Sequence, residues 1–370
     1  MVDYIVGDLL TGRRIQSVRP LAGSWSEEVN GAGALSCTVS LRNDAMKRLD
    51  LLETAIPGKS FLAVVDGDTV LQAGPIWAHD WNEDTGRLDL TAAGMWSYFD
   101  HRTLLPVLAG RLPSDPTTDT DYTGKSLQGV ARGLVAQAQS WTSGDVPVNL
   151  PTEVAGSSDR SYKGADVAPV GDRLHELTGV INGPEIRFSP RWSSDRLGVE
   201  WDMEIGTPSE PKLFSAQRPV FYVGTDKSSV TNLRVGVNGS RIGSQAFALG
   251  GRTDDQSLVS VSTDSTLTGA GFPLLELVDS THSTVSEVAT LQGYSDELVA
   301  RSKRPVQTWS FTHNLSTAPF LSSFRAGDFA TVRVVDSHYL AVREYTLRIL
   351  TRSGTVKSDT VDLTFEPEQI

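Results

Sequence analysis

The sequence has a single cysteine among 370 residues, Cys37, and this scarcity excludes two kinds of structural domain. One thiol cannot build an internal disulfide framework, and it cannot supply the several cysteine ligands of a structural zinc site. Runs of about 18 consecutive apolar residues, which a membrane-spanning helix needs, are missing too. Residues 1–8 lack the basic and apolar segments of a signal peptide, so we expect the chain to fold in a reducing cytosol.

Motifs that carry catalysis are equally scarce. No G-x-S-x-G segment supplies a nucleophile elbow, and no G-x-x-x-x-G-K-[ST] segment supplies a phosphate-binding loop. No two histidines have the H-x-x-x-H spacing of a helical metal site. The six histidines are scattered along the chain at His79, His101, His175, His282, His313 and His338. We therefore predict no catalytic, cofactor-binding or metal-binding residues.

Positive charge is outnumbered, because 33 Lys and Arg residues stand against 45 Asp and Glu, for a formal net charge of −12. A protein that binds duplex DNA gains affinity by neutralising phosphates, so this balance argues against that class. It does not exclude a surface that nucleic acid passes without binding, since like charges repel.

The residues that are present predict a turn-rich globular protein made mostly of strands. The chain is longer than a single hydrophobic core supports, which favours two or more domains. Leu35, Cys37 and Val39 alternate with polar residues, which is the pattern of a half-buried strand. Two hairpins are predicted, with turns at residues 66–67 and 84–86.

Helices are predicted in five places. They are a short run from Asn43 to Leu51 and residues 94–99, 126–140, 166–177 and 285–303. The last of these has an apolar stripe formed by Val288, Leu291, Tyr294 and Leu298.

An internal similarity links the two ends of the chain. After Gly58 comes a strand that ends in Val64-Val65-Asp66, and after Gly327 comes one that ends in Val334-Val335-Asp336. About twenty residues later, residues 88–90 (LDL) and 361–363 (VDL) form the next strand of each copy. These are common strand and turn residues, so chance similarity of two meanders remains an alternative. If the similarity is real, it predicts two small β-barrels of related shape.

Glu200, Asp202 and Glu204 suggest a cell-wall glycoside hydrolase, because that reaction needs paired carboxylates. They alternate with apolar residues, however, and the solvent-facing side of an amphipathic strand is the favoured interpretation.

Two further groups were weighed in the same way. Asp115, Asp119 and Asp121 lack the spacing of an EF-hand, so a solvated acidic loop is favoured over a calcium site. Cys37 shares a strand face with Leu35, which favours a core residue over a nucleophile.

An aromatic cluster between residues 77 and 99 leaves a second alternative open, a carbohydrate-binding module. Core packing is the favoured interpretation, since a sugar platform needs the rings on one exposed face. The cluster consists of Trp77, Trp81, Trp96, Tyr98 and Phe99.

Several segments resemble a known family. Residues 71–77 (LQAGPIW), the turn at 84–86 and residues 88–102 are similar to the first barrel of tail-tip hub proteins, or minor tail proteins, of long-tailed phages of actinobacteria. The similarity extends over nearly the whole chain, and the order and spacing of the segments make it specific. The other matching segments are residues 183–190, 201–208, 271–276, 325–328, 347–350 and 353–354.

The resemblance implies a fold like that of the central hub protein of contractile-phage baseplates, α+β but mostly β. Two related small β-barrels are expected at residues 1–102 and 306–370, with strands near residues 205–240 as candidates to complete the first. Two α+β domains are expected between them, at residues 103–215 and 216–305, the second ending in the long helix. We expect no further wall-degrading or receptor-binding domain after Ile370.

The resemblance also implies a structural, non-enzymatic role at the tip of a virion tail, after assembly in the host cytoplasm. Three copies of two barrels give six positions, so a homotrimer would adapt a six-fold tail tube to a three-fold tip. It would close the tube and form part of the DNA exit channel. The implied partners are a distal tail protein ring or tail tube above, the C-terminal end of the tape-measure protein in the lumen, and other minor tail, fibre or receptor-binding proteins below. Phage DNA is expected only in passage, and no cofactor or stable membrane insertion is expected.

Overall fold

The computed structural model describes residues 2–180, 182–226, 228–253, 256–282, 285, 287–356 and 358–367. The chain is mostly β, with 43% strand and 18% helix. It forms two compact units: unit 1 comprises Met1–Thr178, Pro184–Leu233 and Ser310–Ile370, and unit 2 comprises Gly179–Gly183 and Arg234–Trp309. No helix among the described residues is long and apolar enough to cross a bilayer.

The first hundred residues form seven strands and three single-turn helices. The strands are β1 (Val2–Asp8), β2 (Arg14–Val18), β3 (Ala22–Glu28), β4 (Ala34–Ser40), β5 (Ser60–Asp66), β6 (Thr69–Asn82) and β7 (Arg87–Ala93). The helices are α1 (Asp44–Lys47), α2 (Leu51–Thr54) and α3 (Trp96–Phe99).

The middle of the chain mixes helices with short strands. In chain order these are β8 (Thr120–Lys125), α4 (Leu127–Gln139), β9 (Val148–Asn149), β10 (Ser158–Tyr162), α5 (Val170–Thr178), β11 (Ile186–Trp192) and β12 (Val199–Ile205).

The remainder is again rich in strands. Its elements are β13 (Val220–Val223), β14 (Val230–Asn238), β15 (Gln245–Thr253), β16 (Gln256–Thr263), α6 (Thr266–Gly269), β17 (Glu276–Asp279), α7 (Val288–Ser302), β18 (Val306–Asn314), β19 (Phe329–Val334), β20 (Glu344–Thr355) and β21 (Thr360–Pro367). Three short 3-10 helices lie at Pro116–Thr118, Gly164–Asp166 and Leu321–Ser323.

One sheet of 13 strands joins the two ends of the chain, and its strand order occurs twice. The N-terminal half contains the order β3-β4-β7-β6-β5, and the C-terminal half contains β14-β18-β21-β20-β19. In both halves a pair of strands is followed along the chain by a three-stranded meander. A sixth strand differs in direction, because β1 pairs antiparallel with β5 whereas β13 pairs parallel with β19.

The two halves also share an irregularity in the ladder. The pairing of β6 with β7 shifts between Ile76 and Ala78, and the pairing of β20 with β21 shifts between Ile349 and Thr351. A bulge at the same step of the same strand makes Ile76 the counterpart of Ile349.

Backbone hydrogen bonds support this correspondence. Gly58 N donates to Ile76 O at 2.7 Å, and Gly327 N donates to Ile349 O at 2.7 Å. Both glycines have positive φ, 75° and 98°, a conformation that L side chains rarely adopt. Gly58 and Gly327 are therefore equivalent, as the sequence similarity predicts.

Side chains repeat as well. Thr38 donates to Asp89 in the N-terminal half, and Thr312 Oγ1 donates to Asp362 Oδ1 at 2.6 Å in the C-terminal half. The two aspartates are the central residues of the LDL and VDL segments.

The register corrects one detail of the predicted similarity. Phe61 lies opposite Pro75, and Phe329 lies opposite Arg348, the residues just before the equivalent isoleucines. Val64 is therefore the counterpart of Val332 rather than of Val334, because the second copy has extra residues at the end of its strand.

The connection between the paired strands distinguishes the halves. Residues 29–33 link β3 to β4, whereas the link from β14 to β18 contains most of unit 2. Strands β13 and β14, which the sequence offered as candidates to complete the first barrel, pair instead with β19 and β18 of the C-terminal half.

One hydrophobic core combines residues of the N-terminal half with residues from the middle of the chain. Phe61 packs edge-on against Trp201, with ring centroids 5.6 Å apart, and Trp201 Nε1 donates to Ala73 O at 3.0 Å. Phe99 stacks on Phe188 at 5.0 Å, and Leu134 of α4 is fully buried.

Two of the long predicted helices are confirmed to within three residues at each end. Helix α4 begins after Ser126, whose Oγ accepts the Gly129 N–H at 3.0 Å, and α7 begins three residues later than expected. Helix α5 starts at Val170 rather than at Asp166, because Pro169 fixes the turn before it.

In unit 2, α7 packs on the sheet β16-β15-β17 with a face that the sequence pattern did not identify. Its buried residues are Leu291, Ser295, Val299 and Ser302, and only Leu291 belongs to the predicted stripe. Ser295 Oγ lies 2.9 Å from Ser262 Oγ, so a polar contact occupies the middle of this interface.

Candidate functional site

The two halves of the sheet meet where β20 pairs antiparallel with β3. Gly354 lies opposite Trp25, and Val356 N donates to Gly23 O at 2.9 Å just beyond the strand. A Cβ on Gly354 would lie 2.9 Å from Trp25 Nε1, closer than ordinary contact. Trp25 is only 3% exposed, so the approach of the two strands requires glycine at this position.

A buried ion pair lies inside this junction. Arg352 is directly opposite Glu27, its Nε donates to Glu27 Oε2, and both residues are almost inaccessible to water. Glu27 Oε2 also accepts the Ala326 N–H at 3.1 Å, while Arg352 Nη1 donates to the carbonyls of Leu321 at 3.0 Å and Phe324 at 2.6 Å. The hydrogen bonds offset the cost of removing both charges from water.

Two more arginines extend the network to the middle of the chain. Arg187 Nη2 donates to Glu204 Oε2 at 2.5 Å, and Arg325 Nη1 lies 3.3 Å from Glu204 Oε1. Arg325 Nη2 also donates to Ser189 Oγ at 2.5 Å. The network therefore ties β3, β11, β12 and β20 together.

Buried Glu27 and half-buried Glu204 are both held in their charged form. Burial alone favours the neutral carboxyl, but the guanidinium groups of Arg352, Arg187 and Arg325 hold the pKa of Glu27 below its ordinary value. The pKa of Glu204 is lowered in the same way against the effect of its burial, chiefly by Arg187.

A second ion pair lies beside the first. Both terminal nitrogens of Arg348 donate hydrogen bonds to the Glu185 carboxylate, with Nη1 2.6 Å from Oε1. Arg348 Nε donates to Gly327 O at 3.0 Å. Leu213 N also donates to Glu185 Oε2 at 2.8 Å. This bidentate pair fixes β20 against the segments that precede β11 and β13.

A cavity of about 490 Å³ lies next to the junction and is lined in part by Glu27, Arg325, Asp328 and Arg352. These charged groups already form hydrogen bonds with other protein atoms. For example, the Asp328 carboxylate accepts hydrogen bonds from the backbone N–H groups of Ser215 at 2.7 Å and Arg325 at 2.9 Å. The arrangement is that of a structural joint.

The carboxylates of the hydrolase alternative lie on one face of β12 and are all bound by arginines. Arg191 Nη1 lies 2.8 Å from Glu200 Oε1, and Arg191 Nε donates to Asp202 Oδ2 at 2.7 Å. A glycosidase acid needs a raised pKa, whereas the pKa of Glu204 is lowered. The pattern of β12 itself, with Val199, Trp201, Met203 and Ile205 buried, is confirmed.

The three aspartates of the calcium alternative each have a separate structural role. Asp115 Oδ1 accepts Thr117 N at 2.9 Å, and this bond lowers the pKa of Asp115. Asp119 pairs with Lys163 at 2.8 Å, and Asp121 lies in β8 opposite Ser161. Over the part of the chain that the structure describes, no three acidic, His or Cys residues gather as metal ligands.

The remaining candidates are mostly core residues. Cys37 is 1% exposed in β4, and its burial raises the pKa of its thiol to about 12. Trp96 and Phe99 are buried as expected, whereas Trp77, Trp81 and Tyr98 are only half-buried.

The six histidines fall at unrelated places. His313 is fully buried, with Nε2 2.8 Å from Pro319 O, and burial lowers its pKa. His282 pairs with Asp279 at 3.1 Å. His101, His175 and His338 are exposed, and His79 is half-buried with Nδ1 3.3 Å from Ala55 O.

Comparison with known proteins links this architecture to viral tails. No family model and no curated protein matches the sequence. Among solved structures, a tail protein from Neisseria meningitidis is similar with a TM-score of 0.59 and 13% identity, over 99% of this chain and 97% of that one. The 43 kDa tail protein of a Shewanella oneidensis prophage is similar with a TM-score of 0.58 and 12% identity, over 99% and 98%. The chain has the fold of phage tail proteins.

A third structure extends the tail-protein fold to another bacterial lineage. A prophage tail protein from Listeria monocytogenes is similar with a TM-score of 0.50 and 9% identity, over 98% of this chain and 94% of that one. Coverage of this kind means that unit 1 and unit 2 are both parts of the shared fold.

Proposed function

We propose that this chain is the hub of a phage tail tip, a homotrimer that matches a six-fold tail tube to a three-fold tip. The observation that carries the proposal is the repeated strand order, β3-β4-β7-β6-β5 and β14-β18-β21-β20-β19, within a tail-protein fold. Three copies of such a chain present six equivalent sets of strands around one axis. Equivalent bonds at Gly58 and Gly327 support the equivalence of the two sets.

In this proposal each half closes into a small barrel, with residues 1–102 as the core of the first and 306–370 as the core of the second. Strands β13 and β14 belong to the second barrel because of their pairing. The α+β segment at residues 103–215 and the part of residues 216–305 outside β13 and β14 lie at the periphery of the ring.

The partners follow from that position. The ring contacts a distal tail protein ring or the tail tube above, and other minor tail, fibre or receptor-binding proteins below. The lumen holds the C-terminal end of the tape-measure protein until phage DNA passes. A net charge of −12 suits a channel that DNA must cross without binding. A lumen lined mainly by Lys and Arg would contradict this part.

A structural role also accounts for the state of the acidic residues. Glu200, Asp202 and Glu204 form ion pairs with Arg191, Arg187 and Arg325, as expected of side chains that hold neighbouring segments together. Purified protein should therefore produce no clearing in a zymogram of host cell wall. Clearing that disappears in the Glu200→Gln variant would favour the hydrolase alternative instead.

The decisive test is the structure of an intact tail tip by electron cryomicroscopy, supported by native mass spectrometry of the purified protein. We expect a mass of three chains of 40.0 kDa and a ring in which the two halves alternate around a channel. A tail tip that contains one copy, or copies whose halves do not alternate, would contradict the proposal.

A further inference from the structure

The large sheet has several strand edges without a strand partner among the described residues, including the outer edges of β2 and β13. Two others are equivalent to strands that pair with each other within the chain. The first is the end of β6, residues 77–82, because β5 pairs with β6 only over residues 69–75. The second is the outer edge of β14, which ends the sheet and pairs only with β18. Edges of this kind are normally covered or blocked, since their free N–H and C=O groups attract other strands.

The C-terminal half shows what covers the equivalent of the first edge. Ile76 corresponds to Ile349, so residues 78–82 of β6 correspond to residues 351–355 of β20. That stretch of β20 is the one that pairs with β3, from Thr351 opposite Glu28 to Thr355 opposite Ser24. In the N-terminal half, no strand among the described residues pairs with the equivalent edge.

Side-chain bonds support the equivalence at this edge. His79 lies 3.3 Å from the carbonyl of Ala55, three residues before Gly58. Its counterpart Arg352 donates to the carbonyl of Phe324, three residues before Gly327. The two edges thus have the same local surroundings on the side of the preceding loop.

We infer that residues 77–82 of β6 in one copy pair antiparallel with β14 of a second copy, as β20 pairs with β3 within the chain. Strand β14 is the counterpart of β3, since each is the outer neighbour of an equivalent strand, β18 or β4. The inference deepens the proposed function, on which it rests, by naming the surface that joins the subunits.

The geometry of this contact favours a closed ring. Each copy carries one edge of each kind, so the contact is heterologous, and a heterologous contact repeats until it closes on itself or continues as a filament. Neither edge contains Pro or Lys, the residues that most often block strand addition. Their exposed charges have opposite signs, with Asp80 on β6 and Arg234 on β14.

The chain itself supplies a register for the contact. Asp80 is the counterpart of Ser353, which lies opposite Ser26 of β3. Ser26 Oγ accepts the Ala34 N–H at 2.9 Å, and the counterpart of Ala34 in β18 is Thr308. On β14, a Cβ placed on Gly236 would lie 3.9 Å from Thr308 O with nothing closer. Gly236 is therefore the residue expected opposite Asp80.

Cysteine cross-linking tests this pairing in the full chain. Val356 N donates to Gly23 O, so the backbone N–H groups of Gly354 and Arg352, two and four residues earlier, also point toward β3. Ser353, between them, therefore forms a non-hydrogen-bonded pair with Ser26. Such pairs bring Cα atoms to about 4.5 Å, within the range of a disulfide. The variant that carries Asp80→Cys and Gly236→Cys, oxidised mildly, should give a ladder of cross-linked chains that ends at three on a non-reducing denaturing gel.

Matched variants provide the controls. Asp80→Cys alone and Gly236→Cys alone should stay uncross-linked, and so should Asp80→Cys combined with Val235→Cys, whose side chain lies on the opposite face. Asp80→Ser with Gly236→Ser shows by circular dichroism whether the substitutions themselves preserve the fold. The native Cys37 is buried and does not contribute to cross-linking.

The outcomes separate this inference from the proposed function. A second variant, Asp80→Cys with Arg234→Cys, tests the register two residues away. If the protein is a trimer but neither this variant nor Asp80→Cys with Gly236→Cys forms cross-links, the edge pairing is wrong and the trimeric hub still stands. A ladder that continues beyond three chains would support the pairing and contradict a closed trimer. Monomers at every concentration would overturn both.

Discussion

At the scale of single residues, the buried pair formed by Glu27 and Arg352 is sensitive to the loss of either partner. The Glu27→Gln substitution leaves Arg352, only 5% exposed, without its charge partner. Loss of one partner of a buried pair costs about 3–5 kcal/mol of unfolding free energy. Urea denaturation should show this loss, and the double variant Glu27→Gln with Arg352→Met should recover part of it.

An exposed pair on the same chain provides the comparison. Lys125 and Glu153 are bonded but each keeps more than a third of its side-chain area exposed, so Glu153→Gln should cost less than about 1 kcal/mol. Equal losses at the two sites would show that the burial of the Glu27 pair has no energetic consequence.

The same network predicts how stability depends on pH. The pKa values of Glu27 and Glu204 are lowered in the folded protein, so the unfolded chain binds more protons in acid. The stability that they contribute is complete above the ordinary glutamate pKa of about 4.3 and is lost as the pH falls through the lower folded-state value. Thermal unfolding between about pH 6 and about pH 3 should show this decline.

The Glu204→Gln variant isolates one of the two groups. It removes a titrating carboxyl with a lowered pKa, so its unfolding temperature should be lower at neutral pH and should fall less steeply in acid. A variant whose acid decline matches that of the parent would show that Glu204 is not charge-stabilised.

Cys37 provides a probe of the core around β4. Its burial raises the thiol pKa to about 12, so the native protein holds almost no thiolate at about pH 8. We expect a thiol reagent such as DTNB to react only at the rate of unfolding, and at once in denaturant. Fast reaction of native protein would mean that β4 opens locally.

At the scale of elements, the approach of β20 to β3 depends on Gly354. A Gly354→Val substitution forces a side chain against the buried ring of Trp25 and should lower the unfolding free energy by about 1–3 kcal/mol. A Cβ on Gly269 of α6 meets nothing within 4 Å, so Gly269→Ala should change stability by less than about 0.5 kcal/mol. Calorimetry of the two variants measures the difference, and similar values would contradict a tight junction.

The sequence pattern correctly predicted the elements in which the order of polar and apolar residues reflects which side chains are buried. Strand β4 and strand β12 alternate as expected, and the apolar face and Ser126 cap of α4 define that helix. Strand β6 is a single strand of 14 residues where two were expected. Its residues 70–76 are all buried, and a bulge near Trp77 leads into an alternating segment without ending the strand.

Elements that depend on distant partners were beyond these patterns. Arg352 bonds to Glu27 across 325 positions, and Arg348 bonds to Glu185 across 163. Each charged residue is typical of an exposed strand position when only its neighbours are known. The one available signal was the similarity of the two chain ends, which implied that strands far apart in sequence share a sheet.

At the scale of the whole molecule, the hydrophobic core shows that residues 1–102 do not form an independent unit. Within unit 1, Trp201 is fully buried against Phe61, and Phe188 stacks on Phe99. A fragment of residues 1–102 would leave Phe61 and Phe99 without these partners and would leave the junction edge of β3 unpaired. We expect this fragment to show no near-ultraviolet dichroism and no cooperative unfolding transition.

Removal of residues 234–309, the larger segment of unit 2, should have the opposite result, because this segment begins and ends in one pair of neighbouring strands. Thr231 Oγ1 donates to Thr312 O, and Asn314 N donates to Ser229 O, so β14 and β18 run antiparallel and the two ends of residues 234–309 lie in neighbouring strands. A two-residue Asn-Gly turn is the natural link between such neighbours. A variant in which Asn-Gly replaces residues 234–309 should unfold cooperatively, with the acid dependence of the parent. If that variant fails to fold while residues 1–102 fold alone, then unit 1 does not fold independently of residues 234–309, and our division of the chain is wrong.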